Sequence, residues 1–317
     1  MSSLSTVAMV VYDAEPINDG WPGTSVIHLD RSSPGAVRVV DEALPATLAH
    51  EVYEYTVGVG RSWGDYVTLQ EAMEASDVAR GDEGERTRLH LLAMALVHSV
   101  WLNGSDASEL LTPELHRVHG FALWANISGL GDECDYHLDY AELHRRRTLR
   151  LHAPLLASTI HVSELEAGEM EGGVFGVNTG GLQHYLRFGH HCNLMRSPDA
   201  LERDWDADAN WVKVNYRFRR AILFDGMLPH RATPIETLAE DSRRRVVVGI
   251  NVFDTSVGPQ VAAAPIHSEA YYQARDLHEG ARVGRNRATL VSAALVPRPS
   301  TADDLRTRLN GRRWPGC

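Results

Sequence analysis

Asp135-Tyr136-His137-Leu138-Asp139-Tyr140 sets an imidazole and a carboxylate two positions apart in a strand-like context. Side chains alternate faces along an extended strand, so His137 and Asp139 project to one side and Leu138 to the other. That side offers a nitrogen and an anionic oxygen within reach of a single ion. A third donor, His230, stands far downstream in Phe224-Asp225-Gly226-Met227-Leu228-Pro229-His230-Arg231-Ala232. Two imidazoles and one carboxylate on a rigid scaffold hold one side of a first-row divalent ion and leave its other positions open. The tripeptide alone is weak, because with 16 His in the chain roughly one His-x-Asp is expected by chance. His28-Leu29-Asp30 repeats its letters, yet it precedes the first convincing folded unit and has no matched partner downstream; it reads as a surface or short-strand pair. The bland reading of His137 and Asp139 is likewise a hydrogen-bonded pair on a strand.

Around this stretch the texture is β-rich. Short runs of β-type residues separated by Gly, Asp and Asn predict strands over Phe121 to Ile127, Asp135 to Ala141, Ala153 to Val162, Gly173 to Val177, Ala221 to Phe224 and Arg245 to Phe253. Upstream, Ala36 to Asp41 reads as a strand and Pro45 opens a helix over Ala46 to Val57. Further helices are predicted around Leu69 to Ala79, over Glu83 to Leu102 with a wide apolar face, and over Ser108 to His119. Strands in succession without alternating helices point to a sandwich or barrel. The expected fold is mainly β with flanking helices (α+β): a double-stranded β-helix, or jelly roll, packed on an N-terminal helical layer. The expected division is an N-terminal segment at 1–35, the barrel with its helical layer at 36–265, and a helical extension at 266–317 with helices near Ser268 to Glu279 and Asp303 to Leu309.

Composition narrows the partners. There are 31 Lys and Arg against 42 Asp and Glu, a net charge of -11, which disfavours nucleic acid and anionic membranes. Cys134, Cys192 and Cys317 are the only cysteines and form no Cys-x-x-Cys, which suits a reducing compartment. Without a signal-like N-terminus or a run of roughly 20 apolar residues, the expectation is a cytoplasmic protein acting on a small molecule. The oligomeric state stays open.

In order and spacing, these motifs make the chain resemble the 2-oxoglutarate and Fe(II)-dependent dioxygenases, nearest the branch typified by prolyl 4-hydroxylases. The likeness runs over roughly residues 36 to 255. It is carried by His137-x-Asp139, His230 and a basic residue one strand later, within Arg243-Arg244-Arg245 leading into Val246-Val247-Val248-Gly249-Ile250-Asn251. Val39-Val40-Asp41-Glu42-Ala43-Leu44-Pro45, Glu171-Gly172-Gly173 and Phe224-Asp225-Gly226 add to it. Two features depart from that branch: arginine stands where it often has lysine, and Trp124 and Asn126 occupy the stretch where a tyrosine often precedes the metal motif. The resemblance implies Fe(II) held by His137, Asp139 and His230, with 2-oxoglutarate and O2 as cosubstrates and succinate and CO2 as products of a hydroxylation. The arginine would pair with the remote carboxylate of 2-oxoglutarate, bidentately as lysine cannot. On a strand Arg243 and Arg245 share a face with Gly249 and Asn251, and Arg245 is the preferred anchor. Asn126 and Tyr136 join Arg245 and Arg243 as cofactor-binding candidates.

Trp124, Tyr140, His184, Tyr185, Arg187 and His191 are the substrate candidates. Most of them fall in the long stretch from Gly176 to Arg219, read as a lid in which Trp205 and Trp211 shield the site. Two other readings remain: a cupin-type metal-dependent isomerase or hydrolase, and a metal-free jelly-roll binding module. Neither needs a buried cation on the strand after His230.

Overall fold

The computed structural model describes residues 25–27, 37–74, 87–148, 150–165, 168–189, 198–207, 210–239 and 244–276. The His28-Leu29-Asp30 pair, His191, Arg243 and the helix expected over Asp303 to Leu309 lie outside the described residues. The N-terminal half contains β1 (Ser25–Ile27), β2 (Val37–Val40), α1 (Ala46–Val59), β3 (Trp63–Thr68), α2 (Leu69–Glu74), α3 (Arg88–Val97) and α4 (Ser105–Leu111). Next come β4 (Val118–Ser128), β5 (Cys134–His137), α5 (Glu142–Thr148), β6 (Arg150–His152), β7 (Leu156–His161), β8 (Met170–Gly172) and β9 (Phe175–Asn178). The rest comprises α6 (Gly181–Phe188), α7 (Pro198–Ala207), β10 (Trp211–Val214), β11 (Ala221–Asp225), β12 (His230–Ala232), β13 (Ile235–Leu238), β14 (Arg245–Asp254) and α8 (Gly258–Ala263).

Two antiparallel sheets carry the fold. The larger has the order β2-β11-β7-β14-β4-β3 and the smaller β10-β9-β12-β5. From β4 onward the chain passes back and forth between them: β4 large, β5 small, β7 large, β9 and β10 small, β11 large, β12 small, β14 large. This alternation winds a double-stranded β-helix, and β5 and β12 come to lie side by side although far apart in sequence.

Period-two alternation assigns the faces of the large sheet. On β14, Val246, Val248, Ile250 and Val252 turn outward, and on β4 Phe121, Leu123 and Ala125 do the same; all join one buried cluster with Ala49 and Val52 of α1 and Leu92, Leu96 and Val97 of α3. Burying each such aliphatic side chain contributes about 1.5–3 kcal/mol. Helix α1 presents Ala49, Val52 and Thr56 as its stripe and ends at Gly60, whose φ of 67° makes the left-handed cap. Helix α3 starts at Thr87, whose side chain accepts the backbone N–H of His90 at 3.2 Å. The opposite face of the large sheet, with Arg245, Gly249 and Asn251 on β14 and Trp124 and Asn126 on β4, looks into the barrel.

Several elements differ from expectation. Strand β3 was not predicted, because Gly64 and Asp65 interrupt its apolar pattern while Trp63 and Val67 pack outward and Tyr66 packs against Ala122 and Phe253. Strand β5 stops at His137, four residues before the predicted end, and α5 follows from Glu142. The chain divides into compact units Met1–Tyr272 and Gln273–Cys317. No helix among the described residues is long and apolar enough to cross a membrane.

Candidate metal centre

His137 closes β5 and His230 opens β12, and the two stand directly opposite each other in the antiparallel ladder. Their ring centroids are 4.3 Å apart. Asp139 lies two residues past the end of β5 and turns back so that its carboxylate approaches both rings. Oδ1 is 3.4 Å from His137 Nε2 and Oδ2 is 3.7 Å from His230 Nε2. One donor atom from each of the three residues falls within 4.8 Å of the others, a spacing that suits a shared ion.

Second contacts fix the donors. His137 Nδ1–H donates to the carbonyl of Asp135 at 2.7 Å, and His230 Nδ1–H donates to the carbonyl of Leu228 at 3.2 Å. Each ring is thereby held with its proton on Nδ1 and its Nε2 lone pair facing the centre, the tautomer a metal requires. Asn251 Nδ2, reaching from β14, donates to Asp139 Oδ2 at 3.2 Å. Phe175 and Phe224 pack their rings 5.4 and 5.0 Å from His230 and close off one side with apolar surface.

The electrostatics set Asp139 and His230 apart from His137. Burial, reinforced by His137, pushes the His230 ring down to about 4. Burial alone would lower His137 as well, but Cys134 and Asp139 hold it well above the usual imidazole range. Burial would raise Asp139, yet His230, His137 and the Asn251 amide hold its carboxyl at about 2. The carboxylate is anionic and His230 neutral at physiological pH, which are ligand states.

Deeper on the inward face, Arg245 is 3% exposed and its Nε has no hydrogen-bond partner among the described residues. Its guanidinium carbon lies 5.7 Å from the Tyr216 ring, and no carboxylate among the described residues pairs with it within salt-bridge distance. A Cβ built on Gly173, a residue with φ +61°, would come 3.5 Å from an Arg245 guanidinium nitrogen, so the Gly172-Gly173 turn walls that cation. Arg244, one position before β14, is exposed. A buried cation with no anionic partner among the described residues calls for an anionic ligand.

Trp124 and Asn126 line the barrel on β4. A Cβ on Gly249 would strike the Trp124 ring at 2.3 Å, so only glycine admits the indole there. Asn126 Oδ1 accepts from the Ser62 hydroxyl at 3.0 Å. Tyr140 lies beside Asp139 with the Arg145 guanidinium 5.4 Å from its ring.

Four expected site residues are not brought to this centre. Tyr136, one position from His137, points out of the opposite face of the small sheet, a consequence of the same alternation that places His137 inward. It packs there with Leu138, Leu182, Tyr185, Trp205 and Trp211. Its hydroxyl donates to His184 Nδ1 at 2.7 Å; His184 Nε2–H donates to Asp204 at 2.7 Å, and Trp211 Nε1–H donates to the same carboxylate oxygen at 2.9 Å. His184 and the buried Tyr185 therefore belong to the backing of the small sheet. Arg187 is exposed on α6, its guanidinium 5.0 Å from the Phe188 ring. The segment read as a lid instead supplies α6, α7 and β10, with Trp205 and Trp211 packed on the outer face.

Three residues outside the candidate set lie near the donors or the buried cation: Asn251, His161 and Tyr216. Asn251 was legible as a polar residue on the Arg245 face. His161 and its neighbour Tyr216 had no local signal, since their role depends on β7 and the loop before β11 coming together.

Fold and side chains together give a jelly roll in whose interior two His and one Asp converge and a cation is buried. No family model matches this chain, and no curated protein matches it. Among solved structures it is similar to a prolyl 4-hydroxylase from Pseudomonas putida, at 11% identity over 69% of this chain and 85% of that one, with a TM-score of 0.40. It is also similar to the viral collagen prolyl hydroxylase of Paramecium Bursaria Chlorella virus-1 in complex with 2-oxoglutarate, at 10% identity over 68% of this chain and 94% of that one, with a TM-score of 0.36. A third is HygX from Streptomyces hygroscopicus with nickel and 2-oxoglutarate bound, at 12% identity over 69% and 82% of the two chains, with a TM-score of 0.37. Likeness this distant adds no weight to a function, which has to come from the side chains.

Proposed function

We propose that the chain is a non-haem Fe(II)- and 2-oxoglutarate-dependent oxygenase that hydroxylates a small or amino-acid-like substrate. The observation that carries this reading is the pairing of two features on one barrel interior: three convergent metal donors, and a buried guanidinium with no anionic partner among the described residues. A cupin-type hydrolase would use the first and have no need of the second.

His137, Asp139 and His230 would hold the iron, whose chemistry is to activate O2 for the coupled reaction in which 2-oxoglutarate, O2 and a C–H substrate become succinate, CO2 and the hydroxylated product. The chain's own residues account for the rest. Arg245 binds the remote carboxylate of the cosubstrate and so orients its oxo-acid end toward the metal donors. Asn251 keeps the Asp139 carboxylate turned to the two imidazoles. Phe175, Phe224 and the apolar cluster around them keep bulk water from the closed end of the barrel. Trp124 and Tyr140 would contact the substrate.

The test is succinate formation by purified protein supplied with Fe(II), 2-oxoglutarate and O2, screened against metabolite pools. Arg245→Gln is expected to retain iron while raising the 2-oxoglutarate requirement at least about 100-fold, since truncating a buried charge partner costs about 2–5 kcal/mol. Iron-dependent turnover indifferent to 2-oxoglutarate sinks the reading.

A further inference from the structure

Strand β7 ends at His161, which pairs in register with Val247 on β14. Alternation from that pair places the imidazole on the same inward face as Arg245. The ring is 0% exposed. Its Nδ1 accepts the backbone N–H of Arg217 at 3.2 Å, so its proton sits on Nε2. That Nε2–H has no acceptor among the described residues.

Tyr216 is the platform under it. The two rings stack with centroids 4.3 Å apart and 13° between planes. The tyrosine is fixed at its hydroxyl, which donates to the Ser163 carbonyl and accepts the Ser163 N–H, both at 2.8 Å. The same tyrosine ring lies 5.7 Å from the Arg245 guanidinium carbon. One rigid ring thus positions two buried donors, His161 Nε2–H and Arg245 Nε–H, and both lack a partner among the described residues. Native interiors rarely leave such donors orphaned, so a ligand acceptor is called for.

We infer that His161 is a second, neutral donor to the remote carboxylate of the oxo-acid cosubstrate, acting beside Arg245 as a specificity-determining residue. This rests on the oxygenase reading above. A carboxylate has two oxygens and one charge; a guanidinium and an uncharged imidazole N–H match both, whereas two cations would overshoot the charge. The imidazole stays neutral because the Arg217 N–H already occupies Nδ1, and because burial and the nearby Arg245 push its titration well below the usual range. An oxo-acid without the second carboxylate leaves both donors unmet, so the pair should select diacids.

The experiment uses the full chain loaded with Zn(II), which does not turn over, and measures calorimetric affinity for 2-oxoglutarate and for 2-oxopentanoate, the latter lacking the remote carboxylate. His161→Leu is expected to weaken 2-oxoglutarate about 10- to 100-fold and 2-oxopentanoate less than about 3-fold, the range for a hydrogen bond to a charged group. His161→Gln, which keeps an N–H donor, should recover part of the loss. Should the leucine variant not fold, the wild-type protein labelled with 15N on its histidines answers alone: the Nε2–H resonance of His161 should shift downfield and resist solvent exchange on adding 2-oxoglutarate but not 2-oxopentanoate. Equal effects of His161→Leu on both acids, or none on either, or an unmoved resonance, overturn the inference. Arg245→Gln separates it from the parent reading. If Arg245→Gln distinguishes the two acids and His161→Leu does not, His161 alone is misassigned; if Arg245→Gln fails to distinguish them, the oxygenase pocket itself is.

Discussion

His137 and His230 face the centre with the correct nitrogen because two backbone carbonyls, of Asp135 and Leu228, take their other protons. His137→Ala, Asp139→Asn or His230→Ala should each abolish stoichiometric binding of Fe(II) or Mn(II) in calorimetry. Asn251→Leu should weaken it about 10- to 100-fold, the usual cost of removing a residue that orients a metal ligand. His161 gives a pH prediction with a definite sign. Its folded ring titrates well below the ordinary value of 6.5, so below that pH the unfolded chain binds one more proton than the folded one and stability falls. The slope contributed approaches about 1.4 kcal/mol per pH unit. Urea midpoints of metal-free protein at pH 7.5 and 5.5 should therefore diverge less in His161→Gln than in the wild type. At this scale the sequence was legible where spacing within one strand decides the matter, as for Arg245 with Asn251 on β14. Applied to β5, the same rule excludes Tyr136 from the centre. His161 was invisible because its tautomer is set by Arg217, far along the chain.

The element that most changes the picture is the layer of α6 and α7 behind the small sheet. Composition suggested a lid, since His184, Tyr185, Arg187, Trp205 and Trp211 would suit a polar substrate as well as a buried network. What composition could not convey is that β10 adds to the edge of the small sheet beside β9 and carries Trp211 to the outer face. Tyr136→Phe leaves His184 short of a donor and should cost about 1–3 kcal/mol in stability, with metal affinity and substrate preference unchanged. A change of substrate preference without loss of stability would restore the lid reading. A complementary case sits on β14: Gly249→Ala forces the Trp124 ring aside and should destabilise by about 1–3 kcal/mol. A spectroscopic check is Trp fluorescence, which should change in Gly249→Ala.

For the whole molecule, the succession of short strands pointed to a jelly roll, and the strand order adds the detail that matters for chemistry: each return of the chain to the small sheet brings one more wall of the same cavity. The helical layer was legible from its apolar stripes, and Trp101, fully buried in the cluster beneath the large sheet, marks how much it matters. Trp101→Ala should cost about 3–5 kcal/mol, enough to lower the urea midpoint sharply with no direct effect on the metal donors. The rung that pairs His137 with His230 has one more consequence. These residues enter the barrel at widely separated points of the chain, so an ion shared between them acts as a reversible cross-link that closes a long loop, in a protein with few cysteines to do so. Loading the metal should then slow protease digestion and make the melting temperature climb with free metal concentration. Starved of iron, the protein would lose not only its chemistry but its lifetime.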